Sequence, residues 1–157
     1  MIDIDLTDNE VIETKAEKEF AKGLKALQEG NSLAALVCFE KASSLEARPI
    51  YSSYLGFCVA KERGQIQKGM LFCREAMEKE PENSVHYLNL GRIHLVAGDK
   101  QEALGVFRKG LAHGPNPEII ELLDTIGTRK PPIIGFLGRD NPINKYLGKL
   151  LSKFGFR

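Results

Sequence analysis

The apolar and small residues of this chain recur at a fixed step. Gly30, Gly64 and Gly98 stand 34 residues apart, and so do Ala35, Gly69 and Ala103; Phe39, Cys73 and Phe107; and Ala42, Ala76 and Gly110. Pro81 and Pro115 keep the same step. Columns that agree on one period mark a repeated supersecondary unit. Each unit predicts two helices. The first stops at a glycine followed by a polar residue, Gly30-Asn31, Gly64-Gln65 and Gly98-Asp99, because glycine takes the left-handed conformation that ends a helix. The second carries the Ala/Gly, Phe/Cys, Ala/Gly series at spacings of four and three, which fall on one helical face. Small residues there let neighbouring helices approach, and the aromatic fills the space between them. The two prolines punctuate the units, since the helix upstream of each cannot continue through it.

The pattern resembles the tetratricopeptide repeat. Tyr87, Leu90, Gly91, Gly98, Ala103, Phe107 and Pro115 carry the likeness in the third unit, with His94 where tyrosine is usual and Gly110 where alanine is usual. The second unit matches through Leu55, Gly56, Ala76 and Pro81; it departs at Cys73, and its step from Gly56 to Gly64 is one residue longer than that from Gly91 to Gly98. The first matches through Gly23, Gly30, Ala35, Phe39 and Ala42 and departs at Lys22 and Ala47. The resemblance implies an all-α fold, a right-handed helical-hairpin solenoid of three repeats over residues 16–117 (about 16–48, 49–83 and 84–117). Each repeat buries its neighbour's apolar face.

The two ends need separate treatment. Residues 118–127 place Ile119, Ile120, Leu122, Leu123 and Ile126 on a helix suited to sealing the last unit. Residues 1–15 are an acidic segment leading into the first helix, and Thr7-Asp8-Asn9-Glu10 has the spacing of a capping box from which that helix could run into the first repeat. Residues 128–157 form a basic tail. Lys130-Pro131-Pro132 interrupts any helix, and Asn141-Pro142 predicts the start of another, amphipathic over 142–154, with Ile143, Tyr146, Leu147, Leu150, Leu151 and Phe154 on one face. Six large apolar side chains, each worth roughly 1.5–3 kcal/mol on burial, call for a partner surface. Three arrangements supply one: the tail packs on its own solenoid, crosses to a second copy as a homodimer, or lies on an anionic membrane or in a partner's groove.

Composition narrows the class. A chain of 157 residues with 43% hydrophobic and 27% charged residues reads as one soluble globular domain. Nothing approaches the ~18–20 apolar residues of a membrane span, and the acidic Met1-Ile2-Asp3-Ile4-Asp5 does not read as a secretory signal. Three cysteines without a Cys-x-x-Cys pair make no disulfide framework, so a reducing, cytoplasmic setting is expected. The net charge of +1 conceals an acidic beginning and a basic end, which can attract each other within one chain or between two.

No arrangement of chemical groups suggests an enzyme. His86, His94 and His113 lack the companions and spacing of a metal set. Cys38, Cys58 and Cys73 sit within helical patterns, with Cys73 in an aromatic's place and no base to activate it. The glycines are helix stops and close contacts rather than a phosphate cradle, so no cofactor is expected. Before residue 129 the basic residues form no strip with interleaved aromatics, which argues against nucleic acid.

What the resemblance does imply is a concave groove, lined by the first helix of each unit, that receives a peptide or partner helix. Register with Gly23, Gly56 and Gly91 gives Phe20, Leu24, Gln28, Tyr54, Phe57, Lys61, Leu88, Asn89, Arg92 and Val96 as its lining. Some members of the family clamp a partner's C-terminal carboxylate with Lys, Asn and Arg; the matching positions here are Phe20, Leu24, Tyr54, Val85 and Asn89, so such a clamp is not expected. The function that follows is a protein-interaction adaptor, with a secretion-type chaperone or a peripheral membrane component held by the tail as alternatives.

Overall fold

The computed structural model describes residues 13–127 of the chain. Seven α-helices run in order: α1 (Lys15–Gln28), α2 (Ser32–Leu45), α3 (Pro49–Arg63), α4 (Ile66–Lys79), α5 (Ser84–Val96), α6 (Lys100–His113) and α7 (Pro117–Gly127). No strand occurs among the described residues. The helices pair as hairpins α1–α2, α3–α4 and α5–α6, and successive hairpins stack through α2 on α3, α3 on α5 and α4 on α5. The result is an all-helical repeat solenoid. The tail, including the face from Ile143 to Phe154, and Thr7–Glu10 lie outside the described residues.

Local chemistry sets the boundaries. Gly30, Gly64 and Gly98 have φ of 78°, 66° and 84°, the left-handed stops that the repeat predicts. At two of them the chain closes in the same way: Asn31 N–H donates to Ala26 O at 2.8 Å and Asp99 N–H to His94 O at 2.8 Å. Asn31 then caps α2 by accepting from the Ala34 N–H at 3.0 Å. The extra residue of the second unit is taken up in α3, which is 15 residues long and runs up to Gly64 itself. The helix α1 begins at Lys15, where Thr14 accepts from the Glu17 N–H at 3.1 Å and Glu17 accepts from the Thr14 N–H at 2.8 Å. That reciprocal pair satisfies two donors that a helix start leaves orphaned. The Thr14 N–H, and then Arg48 at 3.0 Å, hold the Glu17 carboxyl below its usual range.

The core is built by one contact made in two forms. In the first and third hairpins a glycine faces an aromatic ring. A Cβ added at Gly23 would lie 2.4 Å from Phe39 Cε1, and one at Gly91 would lie 2.2 Å from Phe107 Cε1. Both rings are fully buried. In the second hairpin the ring is absent, Cys73 stands in its column, and the backbones close directly: a Cβ at Gly56 would lie 2.6 Å from Gly69 O, and one at Gly69 would lie 2.4 Å from Gly56 O. The glycine that makes this contact is one residue out of step, and Phe57 stands 34 residues from both Gly23 and Gly91. Phe20, Phe39, Tyr51 and Tyr54 pack their rings at centroid distances of 4.6–5.5 Å across the first and second units, a geometry that adds to simple burial.

Beyond the third hairpin, Asn116 starts α7. Its Oδ1 accepts from the Ile119 N–H at 3.2 Å and its Nδ2 donates to Ser84 Oγ at 3.2 Å. Ile119 is fully buried, with Cδ1 2.9 Å from where a Cβ on Gly110 would sit. Glycine at 110 in place of alanine thus makes room for α7. Ile120, expected beside Ile119 on the sealing face, is exposed, because successive helical residues point about 100° apart.

Glycine substitutions separate packing from propensity. Gly91→Ala places a methyl inside the Phe107 ring and is expected to destabilise the fold by about 1–3 kcal/mol. Gly105→Ala, in mid-α6 with nothing within 4 Å of the added Cβ, is expected to stabilise it by up to about 1 kcal/mol. Urea unfolding of both variants beside the parent checks the opposite signs.

Candidate functional site

The first helices α1, α3 and α5, with the start of α7, enclose an open cleft of about 250 Å³ lined by Leu24, Leu27, Gln28, Tyr54, Arg92 and Glu118. Leu24, Leu27 and the Tyr54 ring make one side apolar. Arg92 and Glu118 make the other charged: Arg92 Nη2 donates to Glu118 Oε2. Arg92 is also held from below, its Cζ 5.4 Å from the centroid of the Phe57 ring, and Lys61 Nζ lies 5.8 Å from the same centroid. Each cation is within cation–π reach of that one ring. Tyr54 is a buried ring at the edge of the cleft, and desolvation, with a smaller push from Glu118, raises its phenol above the ordinary value.

Of the ten positions read from the sequence, Leu24, Gln28, Tyr54 and Arg92 come together in this cleft. Phe57 and Lys61 adjoin it through Arg92. Phe20 packs among Phe39, Tyr51 and Tyr54, and Val96 is exposed at the last residue of α5. Two positions are corrections. Leu88 and Asn89 are interior, at 1% and 0% exposure. The run His86–Gly91 is buried without a break, more than one helical turn, because α5 lies among α3, α4 and α6. Asn89 Nδ2 donates to Ser53 Oγ at 3.0 Å, and the Cys73 thiol donates to Ser53 O at 3.6 Å. Its amide is thus committed to the core.

Two residues of the cleft were missed. Leu27 lies three residues after Leu24, on the same helical face, and that spacing was available. Glu118 was not readable as a groove residue, since its pairing with Arg92 depends on how Asn116 seats α7 against α5.

His86, Cys58 and Cys73 take interior roles. His86 is fully buried with Nε2 3.0 Å from Glu80 Oε2, and Asn83 Nδ2 donates to the same oxygen at 2.9 Å. Tyr87 donates its hydroxyl to Pro81 O at 2.9 Å. Together these fix the loop between α4 and α5. Desolvation lowers the His86 pKa from 6.5, against the smaller pull of Glu80. His94, in the place where tyrosine is usual, is half-buried and its Nδ1 has no partner among the described residues. Burial pushes the thiols of Cys58 and Cys73 up to about 12. No cluster of three metal-ligating side chains occurs among the described residues, and no described helix is long and apolar enough to cross a membrane.

Known folds place this geometry in a class. The chain resembles the TPR domain of Arabidopsis OM64, with a TM-score of 0.54 and 22% identity over 71% of this chain and 93% of that one. It resembles the Sgt2 TPR domain from Aspergillus fumigatus, with 0.55 and 20% over 83% and 93%. The second TPR domain of human RPAP3, solved with the HSP70 peptide SGPTIEEVD, gives 0.51 and 17% over 73% and 99%. No family model matches the sequence, and no curated protein does. The chain has the tetratricopeptide-repeat fold.

Two measurements check the assignments. Because the His86 pKa is lowered in the native state, the unfolded chain binds protons first as pH falls. Stability is expected to hold above pH 6.5 and to decline as pH falls below it; His86→Gln is expected to flatten that decline in urea midpoints. In native protein at pH 8, a thiol reagent is expected to label half-buried Cys38 well before Cys58 and Cys73, with all three reacting in denaturant.

Proposed function

We propose that this chain is a protein-interaction module whose cleft receives a peptide or an amphipathic helix of another protein. The observation that carries the reading is the convergence of residues from α1, α3, α5 and α7 on one cleft with an apolar side and a charged side, the mixture by which pockets bind and orient a ligand. A domain of the same fold holds an HSP70 peptide, which supports the class of ligand. The chemistry here differs from a clamp on a partner's C-terminal carboxylate. Phe20, Leu24 and Tyr54 supply hydrocarbon or a ring, and Asn89 is occupied with Ser53. Amidating the C-terminus of a bound peptide is accordingly expected to leave its affinity unchanged.

The role is binding rather than catalysis. The buried thiols are held protonated at pH 7, which removes them as nucleophiles. A reducing, cytoplasmic location fits three free cysteines, two of them in the core.

The test is a selection of phage-displayed 12-residue peptides on the full chain, followed by calorimetry with the synthetic peptides. Gln28→Trp, at an exposed position, fills the mouth of the cleft without touching the core. It is expected to weaken selected peptides by at least about tenfold, as Leu24→Ala should also do. Equal affinity for both variants, with unchanged circular dichroism, would place binding elsewhere and overturn the reading.

A further inference from the structure

We infer that the charged side of the cleft takes a side-chain carboxylate, Asp or Glu, borne by the partner segment next to an apolar residue, and that Glu118 occupies its place in the free protein. The inference rests on the cleft being the docking site. Arg92 and Glu118 differ in how firmly they are held. Arg92 is 22% exposed, with its guanidinium over Phe57; Glu118 is 55% exposed, in the first turn of α7. The fixed member of the pair is the cation, and the member free to swing away is the carboxylate.

The charges point the same way. Arg92 and Glu118 cancel, which leaves Lys61 as the cation of this corner with no ion-pair partner among the described residues. Glu62, next to it in sequence, accepts from Ser32 Oγ on α2 instead. A guanidinium carries five N–H donors in a fixed fork, and one hydrogen bond to Glu118 uses one of them. An incoming carboxylate therefore meets unused donors on Arg92, the Lys61 ammonium nearby, and a competitor that can leave. An incoming cation would meet Arg92 and Lys61 before it gained Glu118, and would have to displace Arg92 from the face of Phe57. Leu24, Leu27 and Tyr54, across the cleft, require the partner to present an apolar side chain beside its acid.

The site is not a C-terminal clamp, so the probe carries no free C-terminus. Random 12-residue peptides fused through their C-termini to phage coat protein are selected on the full chain, and the enriched sequences are made as amidated peptides. Asp or Glu adjacent to an apolar residue is expected to be enriched. Changing that acid to its amide should weaken binding by about tenfold. Arg92→Gln should weaken the acidic peptide to a similar degree while affecting the amide version little, since the two changes remove the same contact. Glu118→Gln, at an exposed position, should tighten the acidic peptide by about threefold, the range of an exposed ion pair.

Two results overturn the inference while leaving the cleft as docking site: peptides sensitive to Gln28→Trp that carry no acid, or basic peptides that Glu118→Gln weakens. Peptides indifferent to Gln28→Trp remove the docking reading as well.

Discussion

Everything in this solenoid depends on how closely the two helices of each hairpin approach. An α-helix dressed with ordinary side chains keeps its neighbour's axis about 8–10 Å away. At Gly23 and Gly91 the missing Cβ lets a phenyl ring lie against the opposing backbone. At Gly56 and Gly69 two missing Cβ atoms let backbone meet backbone. The two solutions fill the same gap, one with a ring and one by removing it. Since each hairpin buries the next one's face, the spacing inside a hairpin sets where the following first helix lies. Tyr54, Leu24 and Arg92 come from three first helices, so their meeting in one cleft is a consequence of those contacts.

Among the described residues, the pairing of the helices and their stops were legible in the sequence because they are local or periodic. A left-handed glycine needs no tertiary partner to end a helix, and a column that recurs every 34 residues reports the face each unit turns to the next. The register of the second unit was harder. Counting from Gly56 and counting the period from Gly23 and Gly91 disagree by one residue, and the structure shows what each count was measuring: Gly56 marks the backbone crossing, while the period lands on Phe57. Similarly, Thr14 and Glu17 carry a capping spacing, and spacing alone does not say that it is used. The choice of Thr14 places Glu17 within reach of Arg48, 31 residues away.

The proposed binding residues were less legible than the fold, for a reason visible in α5. A groove position is defined by the helix face it occupies, but exposure depends on how many neighbours the helix has. In α1, at the edge of the stack, Phe20 is half-buried and Ala21 exposed. In α5, with helices on several sides, Leu88 and Asn89, two 34-residue steps further on, are enclosed. Asn89 is then better explained by Ser53 and Cys73, a polar knot inside the column where an aromatic would otherwise stand. Replacing that aromatic with cysteine leaves polar groups room in the core, where the Asn89 amide N–H donates to Ser53.

This burial changes what the cleft can select. With Leu88 and Asn89 closed off, the proposed recognition falls to what remains open, an apolar lining on α1 and α3 and a charged one where α5 meets α7. Apolar contact supplies affinity without much direction; a charged group fixes register because a misplaced one is left unpaired. Arg92 is suited to that second task only while its position is constrained, and the Phe57 ring constrains it. Phe57 stands where the period would put glycine, and the hairpin tolerates a large residue there because Gly56, one position earlier, has taken over the close crossing. The irregularity that shifts the second unit by one residue therefore also supplies the platform under the arginine, and links the packing of the fold to the chemistry proposed for its cleft.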